Sequence, residues 1–283
     1  MMLTPQDALS GVVRSIVDTA LGPIQFRSAG AGAQVTHVLL HGIGSASASW
    51  AYQLGAAVGR NDVRVLAWDA PGYGRSASLP MAEPSAQDYA QRLWAWLDAL
   101  YVSQPVLLAG HSLGALMAAS AARAASARVS RLVLLAPARG YGDASDAERE
   151  RVVQGRLSNL QQLGPQGMAQ ARGAAMLSPQ AAPALQDAVR ETMAQIDPSG
   201  YTQAVHMLGR GRLAHDLQTW TGPLVIASGE ADTVTTPDAC DALVQALPQA
   251  AKTVRISLGP VGHACPLEAA DVVNPLLGLP VLA

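Results

Sequence analysis

The feature that most constrains this chain is a serine between two glycines, at a point where a strand runs into a helix. Residues 106–109 are apolar and predict a buried strand that ends at Gly110, and an alanine-rich helix is predicted from Leu113 to Ala125. Ser112 therefore stands in the strand, G-x-S-x-G, helix context of a nucleophile elbow. Such a turn crowds the positions two before and two after the serine, so both must lack a Cβ atom. We expect the turn to lift the Ser112 hydroxyl above the sheet.

The composition narrows the class of protein. The chain has 283 residues, of which 49% are hydrophobic and 14% charged. These values favour a large buried core, in one large α/β domain with an insertion or in two small domains. The net charge of −2 gives no electrostatic reason to expect nucleic acid or an anionic membrane as a partner.

The cysteines and the N-terminal residues bear on the compartment. Cys240 and Cys265 have neither metal-ligand nor disulfide-framework spacing, so we expect two free thiols, no metal and a reducing compartment. Residues 1–20 lack the pattern of a signal peptide, and no stretch is long and apolar enough to span a membrane. The sequence therefore predicts a soluble cytoplasmic protein.

The N-terminal half alternates strands and helices joined by short turns. Strands are predicted at 12–18, 24–28, 35–40, 63–68, 106–109 and 131–135, and helices at 50–58, 85–101 and 113–125. The first two strands flank a Leu-Gly-Pro turn and are interpreted as an antiparallel pair at a sheet edge. The rest predicts a parallel sheet with helices on both faces, where ligands bind beyond the carboxyl ends of the strands.

Two glycine-rich loops follow predicted strands at that end of the sheet. Gly42 and Gly44 flank Ile43, so its N–H can join that of Leu113 in holding a developing oxyanion. A plain strand–helix turn is the alternative, and a phosphate-binding motif is lacking. We interpret His41 as bracing this loop. Asp69, at the start of the second loop, is interpreted as a loop-capping carboxylate and not as a catalytic acid.

The middle of the chain has no strand pattern between residue 139 and about residue 220. Helices are predicted instead at 145–163, 167–177, 179–196 and 199–208, the first with a capping box of Ser145 and Glu148. An all-helical insertion in an α/β chain predicts a cap that excludes water and shapes a pocket. It holds several arginines, one of which could bind a substrate carboxylate, although solvated helix faces are the general expectation. Five of them are singled out as candidates. These are Arg139, Arg156, Arg172, Arg210 and Arg212.

Strands return near the C-terminus, at 223–227 and 253–258. The first ends in a loop with two acidic residues, Glu230 and Asp232, ahead of a helix that Thr236 caps. The second leads into a glycine loop that presents His263, the only histidine after the last predicted strand.

Three blocks of the sequence carry a family resemblance: residues 39–44, 68–76 and 110–114. In order and spacing they resemble the signature blocks of the α/β-hydrolase fold, and in particular its capped esterase, lactonase and meta-cleavage-product hydrolase branch. The resemblance covers the chain except for the middle insertion. It implies a mostly parallel sheet flanked by helices, built from residues 1–137 and 220–283, with a helical cap at 138–219.

The resemblance also implies roles for individual residues. The family's acid lies two residues after the position matched by Glu230, which selects Asp232. Ser112, Asp232 and His263 then follow the nucleophile, acid, base order of this fold. The predicted oxyanion hole is the pair of backbone N–H groups of Ile43 and Leu113. We expect substrate contacts from Gly42, His111 and Val234.

The reaction implied is acyl transfer through a covalent intermediate on Ser112, without cofactor or metal. A small carboxylic ester or lactone is the first choice of substrate. Carbon–carbon cleavage of a meta-cleavage product is second, because such enzymes usually carry Asn at position 111 and a second glycine at position 115. A slow or non-catalytic ligand receptor on the same fold is a third alternative. A homo-oligomer is compatible with the sequence.

Overall fold

The computed structural model describes residues 3–248 and 252–282. Residues 1, 2, 249–251 and 283 lie outside the described residues. All six belong to the predicted core, 1–137 and 220–283. The eight strands of the described part are β1 (Val13–Val17), β2 (Ile24–Ala29), β3 (His37–Leu40), β4 (Val65–Trp68), β5 (Val106–His111), β6 (Val129–Leu135), β7 (Leu224–Ser228) and β8 (Thr253–Ser257).

The strands form one sheet in the order β1-β2-β4-β3-β5-β6-β7-β8. β1 pairs with β2 and β2 with β4 in antiparallel register, and all the other neighbours are parallel. The predicted antiparallel pair at a sheet edge is therefore confirmed. β5, which ends one residue before Ser112, lies in the interior of the sheet between β3 and β6.

Helices cover both faces of the sheet. The helices outside the middle of the chain are α1 (Pro5–Ala8), α2 (Ala51–Gly55), α3 (Ala86–Ala99), α4 (Leu113–Ala124), α9 (Pro237–Ala246), α10 (Cys265–Glu268) and α11 (Ala270–Leu276). Alternate strand residues pack into two separate apolar layers, as their period of two requires. Leu40 and Leu108 pack in the layer of α3 and α4, whereas Leu39 and Ala109 pack in that of α2 and α11. The structure thus has the α/β-hydrolase architecture that the resemblance implies.

Between β6 and β7 lies a run of residues that we call the helical segment, 138–219. It contains α5 (Asp146–Arg172), α6 (Pro183–Ala194), α7 (Pro198–Arg210) and α8 (Leu213–Leu217). The segment is seated on the core at close contacts. A Cβ atom on Gly200 would lie 1.9 Å from the Gly72 carbonyl oxygen, and the Gln203 side chain exchanges hydrogen bonds with the backbone of Leu79.

The predicted helices of this segment are confirmed in part. The first two, 145–163 and 167–177, are two helical stretches of α5 separated at Gly164, whose φ of 61° and ψ of 177° are not helical and which precedes Pro165; the second stretch ends at Arg172. α8 was not predicted, because its five residues are too short to show a helical period. Ser145 accepts a hydrogen bond from the Glu148 N–H as predicted. Towards the N-terminus, the predicted helix 50–58 ends at Gly55.

Candidate active site

The turn after β5 has the geometry of a nucleophile elbow. Ser112 has φ 52° and ψ −116°, a left-handed conformation that is rare for a residue with a side chain. A Cβ on Gly110 would lie 2.4 Å from the Gly114 carbonyl oxygen, and one on Gly114 would lie 2.2 Å from that of Leu40. Both glycines are therefore required. The second is required because the helix start presses against β3, which the sequence pattern did not reveal.

Ser112, His263 and Asp232 form a continuous chain of hydrogen bonds. Ser112 Oγ lies 2.9 Å from His263 Nε2, and His263 Nδ1 lies 2.9 Å from Asp232 Oδ2. All three residues are buried, with 5%, 6% and 3% of their surfaces exposed in that order. They come from three loops, after β5, β8 and β7, at the carboxyl end of the sheet. The structure thus brings the three predicted residues together.

Asp232 is held by donors on both oxygens. The N–H groups of Val234 and Thr235 donate to Oδ1 at 2.8 and 2.9 Å, and the Thr235 hydroxyl donates to Oδ2 at 2.8 Å. Burial works to raise the pKa of Asp232, but the hydrogen bond and charge of His263 and the Thr235 donors outweigh it. The net pKa is lowered, so this carboxylate stays ionised beside the imidazole.

The alternative acid, Glu230, lies away from this chain. Its Oε1 accepts a hydrogen bond from the Ser257 hydroxyl at 2.7 Å, in an exposed position. Sequence reasoning did not single out Thr235, whose hydroxyl also lies 3.2 Å from His263 Nδ1. A hydroxyl three residues after the acid was the only signal for it.

The two predicted oxyanion donors flank the elbow. Leu113 is the first residue of α4, and Ile43 lies in the loop after β3. Among the described residues, neither N–H has a hydrogen-bond acceptor, so both are free to meet an anion. Gly42 lets this loop approach the elbow, since a Cβ there would lie 3.0 Å from Ser112 Cβ.

His41 and Asp69 brace the neighbouring loops, as predicted. The Ala70 N–H donates to His41 Nε2 at 3.0 Å, which leaves Nδ1 protonated to donate to the Gly42 carbonyl at 2.8 Å. Asp69 Oδ1 accepts from the Ser47 N–H at 2.8 Å, and its Oδ2 accepts from the Gln25 amide. Neither side chain lines the cavity above Ser112.

His111 is neutral and supports the histidine loop. Burial, with the nearby charge of His263, lowers the pKa of His111 to about 3. The neutral ring donates from Nε2 to the His263 carbonyl oxygen at 2.8 Å, while the buried Nδ1 has no partner among the described residues. His111 thus lines the cavity and also holds the backbone of the residue that contacts Ser112.

Glu268 ties the histidine loop to the helical segment. Its carboxylate accepts from the Gly262 N–H at 2.8 Å, from the Ser178 N–H at 3.0 and 3.1 Å, and from the Ser178 hydroxyl. The Ala264 N–H also donates to the Met176 carbonyl at 2.7 Å. Sequence reasoning missed this role, because an acidic residue in the first turn of a helix is common.

A cavity of about 200 Å³ lies above Ser112, between the core and the helical segment. Its lining includes every predicted site residue that faces a substrate, namely Gly42, Ile43, His111, Ser112, Leu113, Val234 and His263. Methionine, leucine and tyrosine side chains from the helical segment close it from above. The described part of the chain contains no group of three or more His, Cys, Asp or Glu side chains that could hold a metal ion.

The five candidate arginines of the helical segment fall into two groups, which corrects the expectation that all are solvated. Arg210 and Arg212 are at the surface and pair with Glu83 and Asp143. The other three, Arg139, Arg156 and Arg172, line the cavity. Cys240 and Cys265 are buried free thiols, as predicted. No described helix is long and apolar enough to cross a membrane.

The fold and this site define an α/β-hydrolase. The family model Hydrolase_4, described as serine aminopeptidase S33, matches residues 32–260. The chain belongs to this family and has the α/β-hydrolase fold.

Solved structures share the fold. The enol-lactonase from Burkholderia xenovorans LB400 is 20% identical, with a TM-score of 0.81 over 93% of this chain and 98% of its own. A thermophilic esterase from Thermogutta terrifontis is also 20% identical, with a TM-score of 0.80 over 94% and 97%.

Curated relatives match over shorter parts of their length. The dihydrolipoyllysine-residue acetyltransferase component of the acetoin cleaving system of Pseudomonas putida is 28% identical over 84% of this chain and 60% of that protein. The chain spans less than two thirds of the length of the curated relatives that it resembles.

Proposed function

We propose that this protein is a serine hydrolase that cleaves a small carboxylic ester or lactone through an acyl-enzyme on Ser112. The observation that carries the proposal is the hydrogen-bond chain from Ser112 through His263 to Asp232. His263 takes the proton of the Ser112 hydroxyl as the oxygen attacks the carbonyl, and Asp232 orients the imidazole and stabilises its protonated form. Water activated by His263 then releases the acid.

The backbone N–H groups of Ile43 and Leu113 hold the oxyanion of the tetrahedral intermediate. Their lack of intramolecular acceptors supports this role, as does the start of α4, whose dipole favours negative charge there. Gly42, His111 and Val234 contact the substrate from the cavity wall. His111 has a second, positioning role through its bond to the His263 carbonyl.

We further propose that residues 138–219 act as a cap on a core made of 1–137 and 220–283. The cavity is lined from both sides, and the Glu268–Ser178 bonds fix the segment against the histidine loop. A closed cap excludes bulk water and limits the substrate to a small molecule.

Aminopeptidase activity, which the family description suggests, fits this cavity poorly. Recognition of a free α-amino group calls for a carboxylate near the reacting serine. The described residues that line the cavity contribute arginines and no aspartate or glutamate. An ester or lactone fits better, in line with the two structural neighbours, which are an enol-lactonase and an esterase.

Hydrolysis of p-nitrophenyl acetate and butyrate, followed into the steady state, tests the proposal in wild type and Ser112→Ala. We expect steady turnover in wild type and its loss in Ser112→Ala, because the nucleophile is gone. Stable acylation of Ser112 with negligible turnover would instead indicate a receptor, and hydrolysis unchanged in Ser112→Ala would contradict the mechanism.

A further inference from the structure

The cavity is lined by positively charged side chains and by no negatively charged ones among the described residues. Arg139, Arg156 and Arg172 line it, while no aspartate or glutamate does so among the described residues. Asp232 lies behind His263 and is already satisfied by four donors. Three guanidinium groups around about 200 Å³ therefore place a positive potential where a substrate must sit.

These three arginines also lack partners within the protein. None of their side chains makes a hydrogen bond or ion pair with a described residue. Other arginines of the helical segment do form ion pairs with carboxylates of the protein. Those that pair with an aspartate or glutamate are Arg149, Arg190, Arg210 and Arg212.

Arg156 is the best placed of the three. It follows Val153 by one helical turn of α5, and Val153 is buried in the core while Leu157 packs against it. Arg156 is half-buried on this inward side of the helix. Arg151, on the same helix, is exposed instead.

Arg156 lines the same cavity as Ser112 and Ile43. Burial raises the pKa of Tyr73, and the Arg156 guanidinium acts on the same phenol in the opposite direction. The Tyr73 hydroxyl in turn accepts a hydrogen bond from the Gly44 N–H at 3.4 Å, in the loop that carries Ile43. A substrate held at Ser112 therefore lies within the field of Arg156.

We propose that the substrate carries a second, free carboxylate, which Arg156 binds, with Arg139 and Arg172 adding to the attraction. A planar guanidinium can bind a carboxylate through two parallel hydrogen bonds, and such charge-assisted bonds are strong in a half-buried site. The substrate class is a half-ester of a dicarboxylic acid, or a lactone that bears a carboxylate. This inference rests on the proposed serine hydrolase function.

The test compares two substrates that differ only in charge: monoethyl adipate, and the ethyl ester of adipic acid monoamide. We expect wild type to have the higher kcat/KM for the acid. Arg156→Gln should lower the acid-to-amide ratio of kcat/KM by about 10- to 100-fold, the loss expected for a charged hydrogen bond. Arg156→Lys should restore part of that ratio, and added salt should lower it in wild type.

Arg151→Gln is the matched control. Arg151 lies on the same helix, is exposed and does not line the cavity. We expect its acid-to-amide ratio to match that of wild type. Equal kcat/KM values for acid and amide in wild type would overturn the inference, as would a ratio that Arg156→Gln leaves unchanged.

A binding experiment separates this inference from the proposed function. Calorimetric titration of Ser112→Ala with adipate and with adipamide needs no turnover. Binding of adipate alone, weakened by a further Arg156→Gln, would support the anion site even if wild type hydrolysed no ester. Turnover of the neutral ester without adipate binding would leave the hydrolase standing and overturn the carboxylate site.

Discussion

The core side of the cavity and its helical-segment side differ in the burial and pairing of their polar side chains. On the core side Ser112, His263 and Asp232 are almost fully buried, and their polar side-chain atoms contact one another or nearby donors. On the other side Arg156 and Arg172 are half-buried, and their side chains pair with none of the residues that the structure describes. In the proposed function, the core fixes the chemistry in advance, whereas the helical segment keeps donors available for the ligand.

The largest effect expected on the core side is the loss of kcat when the acid, Asp232, is replaced. Asp232→Asn should lower kcat by about 10³- to 10⁴-fold, because the amide no longer holds His263 in the required tautomer. Glu230→Gln is the matched control from the same loop, and it should leave kcat within about threefold, as expected for an exposed residue outside the site. Ester hydrolysis at saturating substrate measures both. A larger loss in Glu230→Gln than in Asp232→Asn would reverse the assignment.

Two glycines, one from each region, test how tightly the backbone is packed. Gly114→Ala places a Cβ against the Leu40 carbonyl, so we expect the free energy of unfolding to fall by about 2–5 kcal/mol. Gly155→Ala in α5 meets nothing within 4 Å. It should raise the free energy of unfolding by up to about 1 kcal/mol through helix propensity.

Urea unfolding of both glycine variants gives the comparison directly. Equal destabilisation of the two would mean that position 155 is packed as tightly as the elbow, contrary to the structure.

The link between the two regions gives a smaller effect. Glu268→Gln weakens the bonds to Gly262 and Ser178 and so loosens the histidine loop against the helical segment. We expect kcat/KM to fall by about tenfold, which corresponds to a modest misplacement of His263. A merely structural role would lower the melting temperature without this loss in the folded enzyme. Activity measured well below the melting temperature separates the two.

The smallest expected effect is on how the free energy of unfolding depends on pH. Because burial lowers the pKa of His111 to about 3, the residue is neutral when folded but protonated below about 6.5 when unfolded. The unfolded state therefore binds more protons between these values, and the free energy of unfolding falls as the pH drops through that window. His111→Gln should remove up to about 1.4 kcal/mol per pH unit of that slope. An unchanged slope in urea unfolding would contradict the buried neutral imidazole.

Much of the core could be predicted from the sequence, because its signals are local and strong. The G-x-S-x-G turn and the apolar strands follow from a short motif and strand periodicity. The choice of Asp232 as the acid came from the family resemblance. Glu268 was missed because its role depends on a residue distant in the chain, Ser178, which is 90 residues away. Thr235 was missed because a single hydroxyl near an acid is too weak a signal by itself.

The helical segment was less predictable for a physical reason. Its helices present polar, partly exposed surfaces, so their apolar period is weak and their ends are poorly marked. The non-helical Gly164, followed by Pro165, divides α5 into two helical stretches. Which arginines face inward depends on how that helix is rotated against the core, which sequence spacing near a break does not determine.

The most direct test of the account is mass spectrometry of the protein mixed with p-nitrophenyl acetate and quenched in acid. We predict one acetyl group on the peptide that contains Ser112 in wild type, and none in Ser112→Ala, with release of the acetyl group matching steady-state turnover. Turnover without any acylated Ser112, or acylation at another residue that persists in Ser112→Ala, would contradict the central claim.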